Sequence, residues 1–151
     1  MTHQLKRILV AVDDSDASKT AVDEGIALAA DDGAEIVFAH VVAIVGEQFV
    51  PGTKEPARVP GPAETPSLKA AEARAADAGV ACTTELLVGY APRQLALVAD
   101  DRDVDLIVVG SRHLKGLKRV LLGSTSRALL AESTRAVLVV PYVPVEEAVA
   151  V

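Results

Sequence analysis

The stretch VDLIVVGSRHLKGLKRVLLGSTS, residues 104–126, carries the clearest indication of the fold. Val104–Val109 is a short, almost wholly apolar run, which is typical of a parallel strand buried on both faces. We expect this strand to end at Gly110, because a residue without a Cβ allows the chain to turn sharply as it leaves the sheet. The hydroxyl residues Ser124–Ser126 precede a second apolar segment and are typical of a helix N-terminus. The stretch therefore predicts a strand, a loop and a helix in succession.

The loop within this stretch is basic, since four of the chain's 15 Lys and Arg residues lie from Arg112 to Arg119. A glycine turn beside the free N–H groups of a helix N-terminus is a plausible cradle for a phosphate. The spacing after Gly110 differs from that of a Walker loop and from the GxGxxG fingerprint. The loop therefore indicates an anion-binding site or, in the plainer alternative, an ordinary strand-to-helix connection with a solvated basic surface.

The composition of the 151-residue chain suits a parallel sheet covered by alanine-rich helices, because half of the residues are hydrophobic and only two Tyr and two Phe are present. The net charge of −6 argues against binding to nucleic acid or to an anionic membrane. The single cysteine excludes an intrachain disulfide and permits a reducing compartment. With no apolar stretch long enough for a membrane span or a signal peptide, we expect a cytoplasmic protein.

Strand and helix patterns alternate along the rest of the chain and predict an open, doubly wound, five-stranded parallel sheet of the Rossmann-like α/β class. With the apolar first strand at the centre, the strand order is 3-2-1-4-5, and a ligand crevice is expected between strands 1 and 4. Asp13 and Gly110 stand at the carboxyl ends of those two strands. The predicted strands are Arg7–Asp13, Glu35–Val42, Val80–Val88, Val104–Val109 and Ala136–Val140, the last ended by Pro141, and the predicted helices cover about 16–31, 64–78, 91–100 and 124–132.

The segment Gly46–Pro66 contains five of the chain's eight prolines and has neither helical nor strand periodicity. A loop of this length is often a lid or a functional insert, and it is equally well explained as a tolerated insertion without a role. We predict one domain over residues 1–151, with a long loop at about 43–65.

Four segments resemble the universal stress protein family, and together they span nearly the whole chain. They read ILVAVDDSDAS at 8–18, AHVV at 39–42, GSRHLKGLKRVLLGSTSRALL at 110–130 and AVLVVP at 136–141. Nucleotide-binding members of that family carry Gly, two residues, Gly, nine residues, then Gly followed by Ser or Thr. Gly110, Gly123 and Ser124 match this pattern, whereas position 113 is His in place of the second glycine.

The resemblance implies a stress-response regulatory protein of the adenine nucleotide alpha hydrolase-like fold. It implies that the protein binds ATP or AMP, with or without Mg²⁺, and that it forms a homodimer through the strand Ala136–Val140. By position, Asp13 and the backbone of Ala11 and Val41 would hold the adenosine, Gly110 would lie against the ribose and first phosphate, and the start of the fourth helix would meet the phosphates. The implied nucleotide-binding set is Ala11, Asp13, Val41, Val109, Gly110, His113, Gly123, Ser124 and Thr125.

The consequences of His113 remain open at the level of sequence. Histidine is one of the better substitutes where a positive φ is required. If the backbone at this position must approach a phosphate, the histidine side chain would obstruct the approach. In a third reading, the side chains of His113 and Lys115 themselves contact a phosphate.

The sequence leaves two functional alternatives to nucleotide signalling. One is a slow ATPase or self-phosphorylating protein, for which no general base with Mg²⁺ carboxylates is evident beside the loop. The other is a dimeric interaction protein that binds no nucleotide.

Overall fold

A computed structural model of the chain describes residues 3–43, 61, 64–112 and 122–142. Within these residues, strands and helices alternate along the chain, as the sequence predicts. The strands are β1 (Arg7–Ala11), β2 (Glu35–Val42), β3 (Cys82–Val88), β4 (Leu106–Arg112) and β5 (Ala136–Tyr142), and the helices are α1 (Asp16–Asp32), α2 (Pro66–Asp77), α3 (Ala91–Asp101) and α4 (Ser124–Glu132).

The five strands form one parallel sheet in the order β3-β2-β1-β4-β5, which confirms the predicted fold class and strand order. Helices cover both faces, so a central strand has no solvent-facing side. In β1, Ile8 and Val10 pack with residues of α1 and α2, whereas Leu9 packs with residues of α3 and α4. This two-sided burial explains why β1 is a continuous apolar run and does not alternate with polar residues.

Three strand ends differ from the sequence-based expectation. β1 ends at Ala11 and not at Asp13, because the N–H of Asp13 donates to Ser18 Oγ at 2.8 Å. β4 continues past Gly110 to Arg112, since its last residues pair with β5. Pro141 lies within β5 and does not end it, which an edge strand allows because a proline there need not donate a ladder hydrogen bond.

Three elements begin two residues later than expected, α2 at Pro66, β3 at Cys82 and β4 at Leu106. The two strands start late because the N–H groups of Val80 and Val104 still donate to carbonyl oxygens of the preceding helices. Most of the proline-rich segment Gly46–Pro66 lies outside the described residues. Across the ranges that the structure does describe, no helix has the length and apolar character needed to cross a membrane.

Asp105 interrupts the apolar run one residue before β4, and its carboxylate has a structural use. Its Oδ2 accepts hydrogen bonds from the backbone N–H of Lys6, at 2.8 Å, and of Arg7, at 3.1 Å. These hydrogen bonds, and the one from Lys6 most of all, stabilise the ionised carboxylate and lower the pKa of Asp105 below its ordinary value of 3.8. Burial of the carboxylate opposes this effect but is outweighed by it. Asp105 thus ties the start of β1 to the start of β4.

We expect Asp105→Ala to lower the free energy of unfolding by about 1–2 kcal/mol at neutral pH, because two N–H groups lose a charged acceptor. Since the folded-state pKa is lowered, this contribution is complete above the ordinary value of 3.8 and is lost as the pH falls through the folded-state value. Urea unfolding in a pH series measures it. Asp101→Ala removes an equal charge from an exposed carboxylate and serves as the control. If the loss of unfolding free energy in Asp105→Ala were the same in acid as at neutral pH, this role of Asp105 would be contradicted.

Candidate functional site

The two central strands separate at their carboxyl ends. β1 pairs with β4 only as far as Val10 and Val108. Beyond that level β1 stays beside β2 to Ala11, whereas β4 stays beside β5 to Arg112. A crevice therefore opens between β1 and β4, where the order of the strands reverses and where ligands bind in open α/β sheets.

This crevice is a cleft of about 560 Å³, within the range of small-molecule sites. Its lining comes from the ends of β1, β2 and β4, from the first turns of α1 and α4, and from the inner side of α3. Every implied nucleotide-binding residue that the structure describes lines it, whereas His113 lies outside the described residues. The implied residues that line the cleft are Ala11, Asp13, Val41, Val109, Gly110, Gly123, Ser124 and Thr125.

A small hydrogen-bond network holds Asp13 at the edge of the cleft. The N-cap residue of α1, Ser15, accepts from the N–H of Ser18 at 3.1 Å, and Ser18 Oγ accepts from the N–H of Asp13 at 2.8 Å. In return, Asp13 Oδ1 accepts from the N–H of Ser15 at 2.7 Å. Asp13 is nevertheless exposed, so its carboxylate can accept a further hydrogen bond from a ligand.

His40 has a structural position next to this network. Its ring Nδ1 lies 2.7 Å from the carbonyl oxygen of Val12. Because a carbonyl oxygen only accepts, Nδ1 carries the proton and donates to it. The half-buried His40 therefore has a structural role, tying β2 to the residue that follows β1.

Gly110 is needed for close packing, not for the sharp turn that the sequence suggested. A Cβ at this position would lie 2.3 Å from the carbonyl oxygen of Ala17 and 2.6 Å from its carbonyl carbon. The absence of a side chain thus lets the first turn of α1 approach β4. Gly110 and Ala17 both line the cleft, so this contact sets the shape of one of its walls.

The N-terminus of α4 forms another part of the lining and has no side-chain cap. Its N-cap residue, Gly123, has φ −67° and ψ 169° and makes no capping hydrogen bond through a side chain. The first N–H groups of a helix have no partner within the helix, and the helix dipole places partial positive charge there. Since Ser124 and Thr125 also line the cleft, this end of the cleft suits an anion.

Arg127, Ser18 and Leu95 also line the cleft, although none of them belongs to the nucleotide-binding set that the resemblance implies. Arg127 could have been found, because it lies four residues after Gly123 and three after Ser124, a spacing that brings helical residues to one side. Leu95 carries no comparable signal, since only the packing of α3 against the sheet brings it to the cleft.

The fold and the cleft together define an open, doubly wound α/β domain with a ligand-sized opening at the switch point of its sheet. The model of the universal stress protein family matches residues 4–141, and the chain belongs to that family. The universal stress protein YxiE of Bacillus subtilis is 33% identical over 147 residues, which cover 89% of this chain and 97% of the relative.

Solved structures agree with this assignment. A universal stress protein solved in complex with cAMP has a TM-score of 0.67 and 27% identity, over 91% of this chain and 98% of that one. A family member from Burkholderia pseudomallei has a TM-score of 0.69 and 26% identity, over 91% and 97% of the two chains. These likenesses confirm the resemblance that the sequence motifs indicate.

Proposed function

We propose that this chain is a stress-response regulatory protein that binds one adenine nucleotide, ATP or AMP, in the cleft between β1 and β4. The observation that carries the proposal is the composition of this cleft: it combines the exposed carboxylate of Asp13 with the uncapped N-terminus of α4. The relative solved with cAMP supports it, because cAMP contains an adenine, a ribose and a phosphate.

Each part of an adenine nucleotide has a chemical counterpart in the cleft. Apolar side chains such as Val41 and Ala91, both partly exposed, offer a surface for the adenine ring. The carboxylate of Asp13 accepts hydrogen bonds, which suits the ribose hydroxyls or the adenine amino group. The first turn of α4, beginning at Ser124, offers N–H groups and hydroxyls to the phosphates.

The proposal predicts about one adenine nucleotide bound per chain. The freshly purified protein is denatured and removed, and small molecules in the supernatant are identified by chromatography and mass spectrometry. The stripped protein is then titrated with ATP, ADP, AMP and cAMP, with and without Mg²⁺. Because the chain has no Trp and two Tyr, adenine absorbance is readily detected beside that of the protein. A supernatant without nucleotide, followed by flat titrations, would contradict nucleotide binding and favour an interaction protein.

We further propose that two copies associate through β5, over Ala136–Val140. This strand lies at one edge of the described sheet. An edge strand presents backbone N–H and C=O groups that can pair with another chain. Its residues from Val137 to Val140 are half-buried within the single chain. Light scattering of the purified protein tests the dimer through its molar mass in solution.

A further inference from the structure

Among the cleft-lining residues that the structure describes, charged side chains are scarce. In the described part of the lining, Asp13 is the one acidic residue and Arg127 the one basic residue, and the others are apolar or bear hydroxyl groups. Asp13 follows β1, whereas Arg127 belongs to α4, the helix that follows β4. Because the chain has a net charge of −6, a phosphorylated ligand meets an unfavourable overall field and depends on local positive charge.

Arg127 is placed to supply this positive charge. It lies in the first turn of α4, and its backbone N–H donates to the carbonyl oxygen of Gly123 at 3.0 Å. Its exposed guanidinium makes one long hydrogen bond, 3.4 Å from Nη2 to the carbonyl oxygen of Leu122, and has no carboxylate partner among residues 3–43, 61, 64–112 and 122–142. Most of its five N–H donors therefore remain available to a ligand.

We propose that Arg127 binds the phosphates of the ligand and makes the cleft favour ligands in the order of their phosphate charge, ATP over AMP over adenosine. A guanidinium is a planar fork that matches two phosphate oxygens, and its charge adds to the partial positive charge at the N-terminus of α4. For the adenosine half of the ligand, the inference rests on the proposed function. For the phosphate half, it rests on the position and charge of Arg127.

The experiment compares the parent chain with Arg127→Ala, Arg127→Lys and Arg93→Ala by isothermal titration calorimetry with ATP, AMP, adenosine and inorganic tripolyphosphate. Arg93 is the matched control, since it is an exposed arginine in the first turn of α3 that does not line the cleft. We expect Arg127→Ala to weaken ATP binding by about tenfold, the factor that corresponds to one charge-assisted hydrogen bond.

AMP should lose less affinity in Arg127→Ala, and adenosine should lose none, because it carries no phosphate. Arg127→Lys should restore part of the ATP affinity, since a lysine keeps the charge but not the fork. Arg93→Ala should bind all four probes as the parent does. The loss in Arg127→Ala should also shrink at high salt, as expected for an exposed charge.

The outcomes separate this inference from the proposed function. If the parent binds ATP but Arg127→Ala binds it equally well, or loses ATP and adenosine alike, the role of Arg127 is wrong and nucleotide binding stands. If the parent binds tripolyphosphate through Arg127 but binds neither adenosine nor AMP, the role of Arg127 stands and the proposed function fails. If the parent binds none of the four probes, both fail.

Discussion

Gly110→Ala is expected to lower the free energy of unfolding by about 3 kcal/mol or more, a large effect for the addition of one methyl group. The new Cβ would lie 2.3 Å from the carbonyl oxygen of Ala17. Both partners in this clash are tied to backbone, so neither can relieve it by changing a rotamer, and α1 or β4 must move. Urea unfolding followed by far-ultraviolet circular dichroism measures the loss without needing a tryptophan signal.

Two other glycines provide graded controls for this prediction. A Cβ on Gly25 would lie 2.6 Å from Cγ2 of Val10, a stiff side chain, but alanine also raises helix propensity by about 1 kcal/mol and offsets part of the cost. A Cβ on Gly123 would meet nothing within 4 Å, so Gly123→Ala should cost less than about 1 kcal/mol. The expected order of destabilisation is Gly110, then Gly25, then Gly123. If Gly110→Ala were as stable as Gly123→Ala, the close contact with α1 would be wrong.

The sheet could be predicted from sequence because its signals are local. Strands covered on both faces must be apolar throughout, and Ile8, Leu9 and Val10 are indeed fully buried. The limits of α1 are equally local, since Ser15 caps its start and Gly33, with φ 69°, ends it in the left-handed conformation. Element order then restricts the topology, because parallel crossovers are right-handed.

Other features depend on residues that are distant in sequence and could not be predicted. β4 reaches Arg112 because β5 pairs with it to that point. Gly110 reads as a turn residue in isolation, and only the approach of α1 shows that its missing Cβ serves packing. The carboxylate of Asp105 likewise accepts hydrogen bonds from the N–H groups of Lys6 and Arg7, which lie 99 and 98 residues earlier in the chain.

Asp13→Asn is expected to weaken the binding of adenosine and ATP by about 10- to 100-fold, the factor that corresponds to hydrogen bonds with a charged acceptor. The fold should be unaffected, because the amide oxygen of asparagine can replace Asp13 Oδ1 as acceptor of the Ser15 N–H at 2.7 Å. Asp13→Ala, by contrast, should lose ligand affinity and also about 1 kcal/mol of stability, since that N–H loses its acceptor. Calorimetric titration and urea unfolding of both variants separate the two roles. If Asp13→Asn bound adenosine as the parent does, Asp13 would serve only the start of α1.

Tripolyphosphate distinguishes a lost contact from a damaged fold. Removing the negative charge of Asp13 should leave the affinity for this anion unchanged or raise it, because an anion near the cleft no longer meets a carboxylate. Removing the positive charge of Arg127 should lower it. The affinity for adenosine should show the reverse pattern: Asp13→Asn should lower it, and Arg127→Ala should leave it unchanged. A general loss of structure would weaken every probe in both variants, so this crossed pattern can arise only if the two side chains contact different halves of one ligand.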